Sequence, residues 1–214
     1  MTKAIIAAQL SLLLLVAIGA VAAAPASATS PEWWVEGSEI AKAETVAETV
    51  AIKQAPTFKV GTTVTFTCST VKVKHGIVRP GNSNNGTFAF ESCSVVGASH
   101  CEVPNFSSEP LAFPLEGAGA KLKLNFKPVS GNTLAVVVIN NSGGTCVAAN
   151  TYTITSGMSK GMECNYPGVE TEKTEHELVF NAETGSEAFV GSLHVIFEGE
   201  FFVKLSSGNK WSAK

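Results

Sequence analysis

The chain has 214 residues, a formal charge of −3 at neutral pH and 45% hydrophobic residues. All 18 acidic residues are glutamate and Arg79 is the sole arginine, which excludes D-x-D-x-D-G calcium loops, a Ser-His-Asp triad and multi-arginine phosphate clamps. The mildly negative balance also argues against nucleic acid, which calls for clustered basic residues.

Residues 1–28 read as a helical export signal. Lys3 supplies the positive start, Ala4 to Ala24 is almost wholly apolar, and Ala26-Ser27-Ala28 is a small-x-small site with the cut expected before Thr29. The alternative is an uncleaved anchor, since the apolar run nears the roughly 20 residues that span a bilayer. No cysteine lies near the cleavage site to carry a lipid, and the final "SSGNKWSAK" has no apolar tail. The expectation is a secreted protein, in the medium or at the cell surface, with no membrane span once the signal is removed.

Residues 29–56 form a tryptophan hairpin or linker segment. In "PEWWVEGSEI" the neighbours Trp33 and Trp34 point to opposite faces of a strand, so they cannot share a stacking surface. One fills the core and the other faces solvent or a sheet edge; Trp211, near the other end, invites the same reading. Residues 39–55 carry the tandem "AETVAETV". Ala and Glu favour a helix capped by Ser38 and stopped by Pro56, while the surrounding strands favour β, the reading adopted.

Residues 57–214 read as one all-β domain. "TFKVGTTVTFTC" alternates Phe58, Val60, Val64, Phe66 and Cys68 against polar residues, a period of two. "RPGNSNNG" is a loop, and "PLAFPLE", with Pro110 and Pro114, belongs at a sheet edge. "AKLKLNFKP" alternates again, and "TLAVVVIN" is the continuous apolar run of a central strand. Turn signals recur about every 8 to 12 residues, the spacing of an antiparallel β-sandwich, with a closed β-barrel as the alternative.

Five cysteines follow the signal. In an oxidising compartment, with no C-x2-C pair, they favour disulfides over metal thiolates. Cys93 and Cys101, separated by the turn-like "SVVGASH", are expected to pair. Two of Cys68, Cys146 and Cys164 can form a second bridge, and the sequence does not choose between them, although Cys68 sits mid-strand where a cross-sheet bridge is feasible.

Motifs that would carry chemistry lack their context. Gly157-Met158-Ser159-Lys160-Gly161 matches G-x-S-x-G, but a strand and turn follow where a nucleophile elbow needs a helix. Glu170 with Glu172, Glu175 with Glu177 and Glu198 with Glu200 are i, i+2 pairs, the pattern of a wet strand face; glycosidase carboxylates usually come from different strands lining a cleft. His176 shares a face with Leu178 and Phe180 and reads as a hydrogen-bonded core histidine. No catalytic residue, metal site or cofactor is assigned.

Together "PEWWVEGSEI", "FESCSVVG…HCEVP", "LKLNFKPVSG", "CNYPGVETEKTEHELVF" and "LSSGNKWSAK" resemble a family of exported, Cys-containing, β-rich actinobacterial proteins that occur as many paralogues. The resemblance implies a single domain family and an exported setting, and brings no catalytic residue. The leading expectation is a non-enzymatic exported β module, structural or ligand-binding, with cell-wall or extracellular polysaccharide as the partner. Its candidate surface is Trp33 with the polar loop bearing Arg79, Asn82 and Asn84. The alternatives are a secreted glycan hydrolase using paired Glu, and a barrel holding a small apolar ligand.

Overall fold

The structure is a computed structural model that describes residues 30–157, 161–181 and 186–214; the expected signal peptide and Ser159 lie outside them. The strands are β1 (Trp33–Val35), β2 (Ser38–Glu39), β3 (Glu44–Thr45), β4 (Ala51–Val60), β5 (Val64–Val78) and β6 (Asn85–Val95). They continue as β7 (Cys101–Val103), β8 (Phe106–Ser107), β9 (Leu111–Ala112), β10 (Leu115–Glu116), β11 (Lys123–Pro128) and β12 (Thr133–Asn141). The last are β13 (Asn150–Ser156), β14 (Met162–Asn165), β15 (Glu175–Phe180), β16 (Ala188–Val190), β17 (Leu193–Lys204) and β18 (Trp211–Ala213). Among the described residues the only helical segments are two short 3-10 turns, and no helix is long and apolar enough to cross a membrane.

The protein is therefore all-β, and the pairings are antiparallel. A small sheet joins β18, β1 and β2; the other strands belong to one 15-stranded sheet. Within it, pairing runs from β6 through β5, β4, β17, β15, β14, β11 and β9 back to β6, a ring of hydrogen bonds. The four long strands β17, β4, β5 and β6 form the shared wall. At their other end β7, β12, β13 and β16 complete a second path from β6 to β17.

Alternation along each strand fills the interior. Phe66, Phe58 and Phe197 stand directly opposite one another across β5, β4 and β17, with ring centroids 4.8 and 4.6 Å apart. Such cross-strand aromatic pairs contribute roughly 0.2–1 kcal/mol each beyond an Ala pair. Phe180 of β15 meets this row at Phe197, 4.8 Å away, Phe126 of β11 packs on Phe180 and Phe88, and Phe88 of β6 touches Phe201 of β17 at 6.0 Å across the core. A void of about 30 Å³, room for a water or two, lies within the core between Trp33, Val73, Phe88, Phe126 and Trp211.

Residues 39–55 are extended, as their context implied. β3 pairs with β5, Val46 bridges Leu205 and Thr49 bridges Lys72. β4 runs through the boundary placed at residues 56 and 57, and Pro31–Lys214 form one compact unit. Pro56 lacks the N–H of a ladder residue. The partner strand answers with a register shift at Gly199, where an added Cβ would stand 3.2 Å from the Pro56 Cα.

The disulfide expectation is corrected. The bonds are Cys68–Cys93 and Cys101–Cys146, and Cys164 is free and buried. Across the β6–β7 hairpin the residue opposite Cys93 is Val103, not Cys101, whereas Cys68 lies directly opposite Cys93 on β5. Cys101 ends up beside the loop after β12, where the Asn141 side chain accepts a hydrogen bond from the Cys146 N–H at 2.8 Å and holds that residue in reach. Burial raises the pKa of the Cys164 thiol, which keeps it in the unreactive protonated form.

Candidate functional site

The two tryptophans separate as strand geometry requires. Trp33 is 1% exposed, while Trp34 points outward and stacks beneath the Lys214 ammonium, 4.2 Å from its ring centroid. Taking Trp33 as the solvent-facing ligand residue is thus corrected: in β1 its side chain lies on the inner face, against Trp211 at 5.2 Å and Tyr166 at 6.0 Å. β1 pairs with β18 in the register Trp33 to Ala213 and Val35 to Trp211, so the first and last strands of the domain clasp each other. His176 completes the cluster. It is 2% exposed, its Nε2–H donates to the Trp211 carbonyl at 2.6 Å, and its ring stands edge-on to that indole. The histidine is a hydrogen-bonded core residue, as its position on the apolar face of β15 suggested.

This clasp is also where the fold is least satisfied. The Nε1 atoms of Trp33 and Trp211, the Tyr166 hydroxyl, His176 Nδ1 and Ser212 Oγ are buried without hydrogen-bond partners among the described residues. Each such group costs about 1–3 kcal/mol relative to a hydrated one, which opening the clasp would return. Burial lowers the pKa of His176; Lys173 on the adjoining turn lowers it further, while its bond to Trp211 and the charge of Glu170 act the other way. The unfolded chain binds a proton near pH 6.5 and the folded protein only at lower pH. The stabilisation is therefore whole above that value and is lost as pH falls from it through the folded pKa. Urea midpoints measured between pH 8 and pH 5 are expected to fall on acidification, and His176→Gln, whose amide can still donate to the carbonyl, to flatten that fall. Equal slopes in both proteins would discharge His176 from the role.

The polar loop after β5 is wired into the scaffold. The Arg79 N–H donates to Asn84 Oδ1 at 2.9 Å, and its guanidinium to the Ser83 carbonyl at 3.1 Å. Asn82 holds a positive φ of 58° and bonds both backbone groups of Leu115, at 2.9 and 2.7 Å. Asn84, 2% exposed, donates to Asn82 Oδ1 and to the Phe113 carbonyl. These two asparagines latch the 113–115 segment to the loop. Their side chains are spent on backbone groups, which is what fixes a proline-bordered edge lacking long strands.

Two of the glutamate pairs, Glu175 with Glu177 on β15 and Glu198 with Glu200 on β17, lie on the open outer face. The expected strand pair Glu170 and Glu172 is corrected, since both fall in the turn before β15, where the Glu172 carboxylate accepts from the Gly37 N–H. Lys53 Nζ sits 2.7 Å from Glu177 and 2.9 Å from Glu200, Lys59 is 2.6 Å from Glu198, and Lys204 is 3.8 Å from Glu175. The pKa of Lys53 is raised by its hydrogen bonds to the two carboxylates. Lys53 and Lys59 of β4, Glu175 and Glu177 of β15, and Glu198, Glu200 and Lys204 of β17 thus form a solvated ladder of opposite charges, each pair worth little at such exposure. Gly157 follows β13 and Gly161 precedes β14, so strands stand on both sides of the G-x-S-x-G segment.

A concave site occurs elsewhere, where the 3-10 turn Gly119–Lys121 leads into β11 beside the end of β14. The cleft measures about 310 Å³. Leu122 and Tyr166, each 2% exposed, supply apolar surface at its base; Lys121, Lys123, Asn165 and Pro167 also line it. Lys123 and Asn165 are direct partners across β11 and β14. Sequence reading placed Lys121 and Lys123 on the wet side of an alternating strand and took "NYPG" for a turn. It had no signal that the two segments meet, because their separation of some 40 residues is closed only by sheet register.

No protein-family model matches this chain, and neither a curated protein nor a solved structure matches it.

Proposed function

We propose that this chain is an exported, non-enzymatic β module, structural or ligand-binding, that works at the cell surface or in the medium. The observation that carries the reading is the pair of disulfides within an all-β scaffold, since such bonds persist in oxidising compartments. The export signal read in residues 1–28 agrees with it. So does the resemblance to exported actinobacterial proteins carried by "PEWWVEGSEI", "CNYPGVETEKTEHELVF" and the other shared strings. Polysaccharide of the cell wall or the medium is the partner class.

The test is expression of the full chain in an actinobacterial host, followed by fractionation and N-terminal sequencing. The expected result is protein in the medium or wall fraction, beginning at Thr29 and carrying one free thiol per chain. Protein retained in the cytosol with five free thiols would end the proposal.

A further inference from the structure

We infer that the cleft between Lys121, Lys123 and Tyr166 binds an anionic saccharide unit, one bearing a carboxylate or a phosphate. The inference rests on the ligand-binding form of the function proposed above and names the chemistry of the ligand.

Three observations converge on it. The first is volume: about 310 Å³ lies at the lower end of the range small-molecule sites occupy. The second is charge. No lining residue is acidic, although the chain as a whole is. Lys121 is exposed and has no ion-pair partner among the described residues. Lys123 Nζ stands 3.5 Å from Glu163 Oε2, a loose pair that leaves the ammonium with donors to spare. The cleft therefore carries a net positive charge on a chain of net charge −3, whereas Lys53, Lys59 and Lys72 on the outer sheet face are held by glutamates at 2.6 to 2.9 Å. The third is the mixed surface. Ala120 and Pro167, both exposed, offer apolar area to the carbon face of a sugar above the buried Leu122 and Tyr166, and the Asn165 amide can both donate to and accept from ring hydroxyls. A neutral sugar would leave the ammonium groups unused, and an inorganic anion would leave the apolar area bare.

The probes are glucuronate, glucose 6-phosphate and glucose, each titrated into the 15N-labelled chain lacking residues 1–28, the form that export produces, and followed by amide chemical shifts. At least one anionic sugar is expected to shift residues 119–123 and 163–168 selectively, and to do so at least tenfold more tightly than glucose. Lys121→Ala and Lys123→Ala are each expected to weaken binding several-fold and the double variant to abolish it. Added sodium chloride should weaken it too, since exposed charges are screened. A response to glucuronate alone assigns a carboxylate ligand, a response to glucose 6-phosphate alone a phosphate ligand, and a response to both the shared anion. Absence of shifts with either anion in the millimolar range, equal shifts with glucose, or binding retained in the double variant would overturn the inference. The amide spectrum away from the cleft verifies that each variant is folded. Such a failure leaves the export proposal standing, because that is decided by fractionation and thiol content alone.

Discussion

Replacing Trp33 with alanine is expected to destabilise the protein by about 3–5 kcal/mol, and the same change at Trp34 by no more than about 1 kcal/mol. The two residues are adjacent in sequence and identical in composition; they differ only in the face of β1 they occupy. Trp33 is packed between Trp211 and Tyr166 with 1% of its surface exposed, next to an apolar void of about 30 Å³. Truncation removes the transfer free energy of the indole and merges its space with that void, so neighbours collapse only in part. It also loosens the three-residue pairing of β1 with β18, leaving the flanking Glu32–Lys214 and Glu36–Lys210 hydrogen bonds to hold the two ends together. Trp34 loses only a stacked contact with the terminal Lys214, in solvent. Urea unfolding of both variants against the parent protein measures the contrast. Comparable losses at the two positions would mean that the strand does not present opposite faces there, and the clasp would have to be abandoned.

The second large effect belongs to the disulfides. Removing Cys101–Cys146 as a double serine variant is expected to cost about 4 kcal/mol, and removing Cys68–Cys93 slightly less, about 3.5 kcal/mol. The chain-entropy relation applied to sequence separations of 45 and 25 gives this order, because the longer loop frees more of the unfolded ensemble. Location reinforces it. Cys68 and Cys93 are already neighbours in the long β5–β6 ladder, so that bond cross-links strands the sheet holds anyway. Cys101–Cys146 ties the loop after β12 to β7, where pairing between β7 and β12 is confined to Asn140–Glu102 and Asn141–Cys101. Denaturant midpoints of the two double variants test the order. Non-reducing peptide maps test the connectivity; a Cys93–Cys101 peptide would refute it.

The acid response of His176 and the two tryptophan variants bear on one element. If β1 and β18 form the weakest part of the fold, acid and truncation at Trp33 should expose the same amides to hydrogen exchange first, around residues 31–40 and 209–214. Their five unpartnered buried groups, all in the clasp among the described residues, give the reason: opening there regains hydration that opening elsewhere would not.

What the sequence determined by itself is parity. Alternation in "TFKVGTTVTFTC" and "AKLKLNFKP" assigned Phe58, Phe66, Leu124 and Phe126 inward and the lysines outward, and these side chains are buried or solvated accordingly. The same rule split Trp33 from Trp34, kept Glu175, Glu177, Glu198 and Glu200 on the wet face, and put His176 in the core. Parity follows from backbone geometry alone, since successive Cβ atoms leave a strand on opposite sides. Partners are another matter. Which tryptophan turns inward, which cysteine faces Cys93, and that Lys123 meets Asn165 all depend on register between segments tens of residues apart. A period of two fixes the face of a residue but is blind to what stands across the sheet. Tertiary structure made those choices, because only the closed set of antiparallel pairings around one core selects a single register for every strand at once.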